Sequence, residues 1–260
     1  MTGHLFPAQL RERVRFQQFE TDVDRVSAIA CSFADPGIMA NPQYPEYPIS
    51  KSGTVTRIRF RDRYYTLSTL HQFEKGGFDL EQLVLPGVEP GAMCGSEGYT
   101  RLSLQAEDLH DFDCVAHDFT SPVQAGRLRS TGWYDLGTAP WTEPTEYADI
   151  AFAIGYPEHS NRIDFETLTY ASRPHAIWGN PGHQRLRGRL SMALVNPLGY
   201  APNGVSGGPL FSLIDCEHHY HAKLAGMVVN ASESVLNFLP IFFTATRFSS
   251  LFSERLFADM

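Results

Sequence analysis

Asn203-Gly204-Val205-Ser206-Gly207-Gly208-Pro209-Leu210 places a serine between glycines, with Gly-Gly-Pro and an apolar run behind it. Glycine lacks Cβ, so the chain here can take φ > 0 and a ligand can approach the backbone closely. The spacing lets the N–H groups of Gly204 and Ser206 converge on one point. That is the arrangement of an oxyanion hole, which stabilises the negative oxygen formed when a serine attacks an acyl carbon. The motif therefore points to a nucleophilic hydroxyl on a tight turn, followed by a strand.

A serine needs a base. His71 ends the β-prone run Tyr64-Tyr65-Thr66-Leu67-Ser68-Thr69-Leu70-His71, and Gly53-Thr54-Val55-Thr56-Arg57-Ile58-Arg59-Phe60 before it alternates like a half-buried strand. The two runs, joined by Arg61-Asp62-Arg63, predict a hairpin that delivers an imidazole to a cleft. The base in turn needs a carboxylate to fix its tautomer. Asp113 and Asp149 both precede apolar strands, and Asp111 lies close by. Asp113 follows His71 by 42 residues and precedes Ser206 by 93, whereas Asp149 gives 78 and 57. The chymotrypsin order of histidine, aspartate and serine has separations of roughly 45 and 93, which favours Asp113.

On these motifs the chain resembles the chymotrypsin-like serine peptidases, in particular the bacterial, disulfide-poor branch with a G-x-S-G-G-P nucleophile motif. The matching pieces are Ser68-Thr69-Leu70-His71, Asp113-Cys114-Val115-Ala116, Ile154-Gly155-Tyr156-Pro157, Gly204 to Pro209, Leu224 to Val229 and Thr244 to Phe248. The resemblance implies an all-β fold of two six-stranded antiparallel β-barrels and a His71–Asp113–Ser206 triad. It implies that Gly204 and Ser206 form the oxyanion hole. It places Tyr200, six residues before the serine, and Val229, Asn230 and Ala231 along the substrate cleft, where an extended peptide can pair as an added strand.

The departures from the family are equally specific. Val205 stands where secreted members carry the aspartate that pairs with a newly cut N-terminus, so that activation switch is expected to be absent. Gln72 stands where they carry a disulfide cysteine. Tyr200 replaces the acidic residue that selects Arg or Lys, so trypsin-like specificity is not expected.

The 260 residues are enough for two barrels as one unit, and 21 glycines and 17 prolines suit many short strands joined by turns. The expected organisation is an N-terminal helical and loop extension over 1–52, a first barrel over 53–120 and a linker over 121–148. A second barrel over 149–245 and a C-terminal helix over 246–260 follow. Within the extension, 8–34 read as helical and 35–52 as a Pro-rich surface loop or docking segment. A net charge of −8 argues against a nucleic-acid partner. Cys31, Cys94, Cys114 and Cys216 have no metal-type spacing. Cys216-Glu217-His218-His219-Tyr220-His221 carries ligand-type residues but reads as a hairpin tip. No metal and no cofactor are expected. No secretory signal and no membrane-length apolar run are visible, so a cytoplasmic location is expected.

The functional expectation is a regulated bacterial serine endopeptidase whose partners are a protein or peptide substrate and an activating protein. A catalytically silent binding module with the protease fold is the alternative. A lipase or esterase of the α/β-hydrolase type also has G-x-S-x-G, but it needs the order serine, aspartate, histidine. The histidines after Ser206 come within 15 residues of it, too soon for that fold.

Overall fold

In the computed structural model the described residues are 13–102, 113–137, 150–166, 169–182, 189–216 and 219–241. Short strands dominate, as the many turn residues predict. In chain order they are β1 (Arg13–Phe16), β2 (Phe19–Asp22), β3 (Ala34–Ala40), β4 (Ile49–Phe60), β5 (Arg63–Ser68), β6 (Leu83–Pro86), β7 (Met93–Gly95), β8 (Gly98–Leu102) and β9 (Cys114–Asp118). Then come β10 (Tyr134–Asp135), β11 (Ile150–Gly155), β12 (Asn161–Asp164), β13 (Thr169–Ser172), β14 (His175–Pro181), β15 (Leu190–Leu194), β16 (Pro209–Cys216), β17 (His219–Ala231) and β18 (Val235–Pro240). The helices are short: α1 (Val26–Ala30), α2 (His71–Gly76) and α3 (Thr120–Gln124).

The strands β16-β11-β14-β15-β18-β17 form a closed six-stranded barrel, because β16 also pairs with β17. The other sheet runs β7-β6-β3-β4-β5-β9-β8 and makes a half-barrel among the described residues. Together they form the chymotrypsin-like two-barrel architecture. Alternate residues of β11, β16 and β17 divide between two apolar clusters. Ala151, Ala153, Leu210, Ala225 and Val228 pack together with Met192 and Phe238 of the same barrel. Phe152, Ile154, Phe211, Leu224 and Val229 pack against β1 and the other sheet through Phe16, Ile58, Leu67 and Tyr134. Burying each of the Val, Leu, Ile, Phe or Met side chains contributes about 1.5–3 kcal/mol.

The N-terminal segment differs from its expected helix. Residues 13–22 form the hairpin β1–β2, turning at Gln17, which takes φ 54°. In Arg13-Val14-Arg15-Phe16 the burial alternates strictly, with Val14 and Phe16 both 0% exposed. That is a period of two, which a helix cannot serve. β1 lies parallel to β17, so the edge it covers is the one non-antiparallel join to the barrel sheet among the described strands. Phe16 then stacks on Phe33 at 5.3 Å and meets Phe211 edge-on at 4.9 Å. Among the described residues of the expected helix over 8–34, only 23–33 is helical, as α1 and its flanking 3-10 turns. The expected C-terminal helix over 246–260 lies outside the described residues.

The expected loop over 35–52 is mostly strand. Pro36 lies within β3, next to an irregularity in the β3–β4 register between Pro36 and Ile38, where a missing N–H does least harm. Between 121 and 148, α3 and β10 are described, and β10 adds in parallel to β4. Cys216 ends β16 and His219 begins β17, so that segment is a hairpin. His221 and His219 approach at 2.7 Å there. No group of three or more metal-binding side chains occurs among the described residues.

Candidate active site

His71 is the first residue of α2, directly after β5, so the hairpin β4–β5 carries it to the end of the half-barrel. Its Nδ1 meets Asp113 Oδ2 at 2.5 Å, and its backbone N–H donates to Asp113 Oδ1 at 3.1 Å. One carboxylate thus fixes both the ring and the main chain of the histidine. Burial alone would raise the pKa of Asp113, but the hydrogen bond and charge of His71, its backbone N–H and the charge of Arg189 outweigh burial. The net effect holds the carboxyl below its usual range. Asp111 and Asp149, the two other aspartates considered, lie outside the described residues.

Ser206 and His71 line one cavity of about 390 Å³, together with Gly204, Gln72, Lys51, Lys75, Glu158, Asn230 and Ala231. The serine turn is held from behind by β4 and α2. Thr54 Oγ1 donates to Gly204 O at 2.6 Å, Thr54 N to Ser206 O at 2.9 Å, and Thr56 Oγ1 to Gly207 O at 2.7 Å. Gln72 Nε2 donates to Ser206 O at 2.5 Å and to Thr54 O at 3.2 Å. These bonds pin the carbonyls of the turn inward. Of its N–H groups, Val205, Gly207 and Gly208 donate to Pro202 O, Val228 O and Val205 O. The N–H groups of Gly204 and Ser206 donate to no protein acceptor among the described residues.

Two glycines make this possible. Gly204 has φ +91°, and a Cβ there would lie 2.5 Å from Tyr156 O. Gly207 has φ +85°, and a Cβ there would lie 1.9 Å from Thr54 O. An L side chain fits neither the dihedral nor the space. Val205 is fully buried in the barrel core, so the turn is anchored by apolar packing.

The remaining cleft residues separate. Asn230 and Ala231 line the cavity with Ser206. Val229 does not, because its side chain is 0% exposed and packs in the core. Tyr200 lines a different cavity of about 520 Å³ with His175 and Trp178, its ring 4.2 Å from His159 and 5.3 Å from His175. The β17–β18 register is irregular between Val228 and Asn230, so Val229 stays in the core while the two residues after it both reach the cavity.

Two contributors were not legible as site residues. Gln72, 4% exposed, ties α2 to the serine turn through its side-chain hydrogen bond to Ser206 O. Its signal in the sequence was its departure from the family pattern. Behind the site, His117 is fully buried, accepts or donates at 3.0 Å with Ser68 Oγ, and stacks on Phe73 at 5.4 Å. Burial pushes its pKa down to about 3.

No family model matches the sequence, and no curated protein matches it. Solved structures do. Human heparin binding protein is similar over 82% of this chain and 87% of its own, at 12% identity and a TM-score of 0.50. An atomic-resolution structure of HBP covers 86% of this chain and 93% of its own, at 11% identity and a TM-score of 0.54. A mutant of human heparin binding protein (CAP37) covers 85% and 91%, at 11% identity and a TM-score of 0.52. At such identities the likeness shows the two-barrel fold and nothing finer.

Proposed function

We propose that this chain is a serine endopeptidase working through His71, Asp113 and Ser206. The observation that carries the reading is one arrangement. A histidine doubly held by a carboxylate shares a cavity with a serine whose turn leaves the two N–H groups at Gly204 and Ser206 unspent. With Nδ1 committed to Asp113, Nε2 is the nitrogen left to act as base. It takes the proton from Ser206 Oγ as Oγ attacks the peptide carbonyl, and the oxyanion is held by the Gly204 and Ser206 N–H groups. His71 then gives that proton to the leaving amine. A water, deprotonated by the same nitrogen, hydrolyses the acyl-enzyme.

Val205 packing and the β4 hydrogen bonds support a serine turn assembled in the folded chain without cleavage of an N-terminus. Control then falls to specificity or to a protein partner. The similar heparin binding proteins are named for heparin, a polyanion, and a net charge of −8 does not favour that ligand here. The test is incubation of wild type and Ser206→Ala with a random peptide pool, read by mass spectrometry. Cleavage by wild type alone supports the reading, and equal cleavage by Ser206→Ala refutes it.

A further inference from the structure

Lys51 lies on β4, in the wall of the cavity shared by His71 and Ser206. Its side chain is half-buried, and its Nζ donates to the Tyr156 carbonyl oxygen. The ammonium also stands 5.9 Å from the centroid of the Tyr156 ring. An ammonium has three donors and one positive charge, and a neutral carbonyl takes one donor and cancels no charge. Among the described residues no carboxylate comes within ion-pair distance of it. Glu158, on the same cavity, acts on it only through its field, and burial, the larger influence, pulls the pKa of Lys51 down to about 7. Taking a cation out of water without an anionic partner is costly, so burial lets the amine give up its proton more easily, and a carboxylate brought beside it would restore the charge and pair with it.

Its position relative to the serine is fixed by Tyr156. The carbonyl oxygen that holds Lys51 lies 2.5 Å from where a Cβ on Gly204 would sit. The ammonium is therefore one carbonyl away from the backbone of Gly204, on the half-barrel side of the cavity. Asn230 and Ala231, at the end of β17, line the same cavity from the closed barrel. With Asn230 and Ala231 supplied by one barrel and Lys51 by the other sheet in the same cavity as Ser206, Lys51 is available to the leaving half of a peptide whose acyl half lies along Asn230 and Ala231.

We infer that Lys51 forms a carboxylate subsite, so that the preferred substrates carry Asp or Glu on the leaving-group side of the bond cut. This rests on the peptidase reading for the identity of the ligand, but it is a statement about binding and can be tested without turnover.

The experiment uses the full chain carrying Ser206→Ala, with and without Lys51→Met, and with Lys51→Arg as the charge-conserving control. The probes are fluorescein-labelled octapeptide pools identical except for Asp or Asn at each position in turn, read by fluorescence anisotropy. Thermal melts establish that each variant is folded. The expected result is at least one position where Asp binds ten-fold or more tighter than Asn, a preference kept in Lys51→Arg and reduced to less than two-fold in Lys51→Met. Equal affinity for Asp and Asn pools at every position, or a preference that survives Lys51→Met, overturns the subsite. Hydrolysis of the same pools by wild type is scored separately. Binding that depends on Lys51 with no cleavage by wild type removes the peptidase reading and leaves the subsite standing, whereas cleavage without Asp preference does the reverse.

Discussion

Gly207→Ala separates the role of the serine turn from ordinary stability. The new Cβ would lie 1.9 Å from Thr54 O and 2.7 Å from Gln72 Nε2. Ordinary contact begins near 3.4 Å, so the turn and β4 must part by roughly 1.5 Å. That movement breaks Thr54 N to Ser206 O, Gln72 Nε2 to Ser206 O and Thr56 Oγ1 to Gly207 O. Three bonds at about 0.5–1.5 kcal/mol each, with about 1–2 kcal/mol for a left-handed L residue, predict a loss of about 2.5–6.5 kcal/mol in urea unfolding. Ser206 is the adjacent residue, and a displacement of about 1 Å at a reacting group costs about 10²-fold in rate. Phosphonylation of Ser206, followed by intact mass against time, should slow at least that much in the protein that remains folded. Gly77→Ala is the control. Gly77 has φ +67° and nothing within 4 Å of its would-be Cβ. It should lose only about 1–2 kcal/mol and label at the wild-type rate. If Gly207→Ala matches Gly77→Ala in both stability and rate, the turn is not held as described.

Gln72→Leu removes the side-chain donor to Ser206 O and Thr54 O, so kcat should fall by about ten-fold with KM little changed and stability should drop by about 1–3 kcal/mol; an unchanged kcat would dismiss Gln72 as a positioning residue. Asp113 is held below the usual carboxylate range, so the unfolded chain binds its proton first as pH falls. Its contribution to stability is full above the unfolded value of about 3.9 and is lost as pH falls through the folded one. Urea midpoints measured from pH 6 to pH 2 should show an acid limb that flattens in Asp113→Asn. For His117, burial pushes the pKa to about 3, so its ring proton resonances in NMR should stay fixed from pH 8 to pH 5, and a midpoint near 6.5 would show that the ring is solvated.

The serine turn, the histidine-bearing hairpin and the spacing that singles out Asp113 were readable because each is a local pattern. Those residues meet in the structure as His71 on Asp113 and Ser206 in the shared cavity. What escaped the sequence depends on distant chain. Residues 13–22 read as part of a helix because the apolar spacing runs from Val14 through Val23 and Val26 to Ile29, yet Val14 and Phe16 join the cluster of Phe33 and Phe211 only once the barrel exists. The proline-rich run hid β3, because pairing with β4 around Pro36 is a tertiary matter. Resemblance put Val229 in the cleft, while its side chain packs in the core and the irregularity in the β17–β18 register beside it leaves Asn230 and Ala231 on the cavity. Lys51 carries no motif at all. Its meaning comes from the Tyr156 carbonyl, 105 residues away in the chain.

The most direct test of the account is labelling with a fluorophosphonate probe, with wild type beside Ser206→Ala and His71→Ala, read by intact mass. The account predicts a single adduct on wild type, none on Ser206→Ala and a strongly reduced yield on His71→Ala. A folded wild type that takes no adduct, or an adduct that persists in Ser206→Ala, would contradict it.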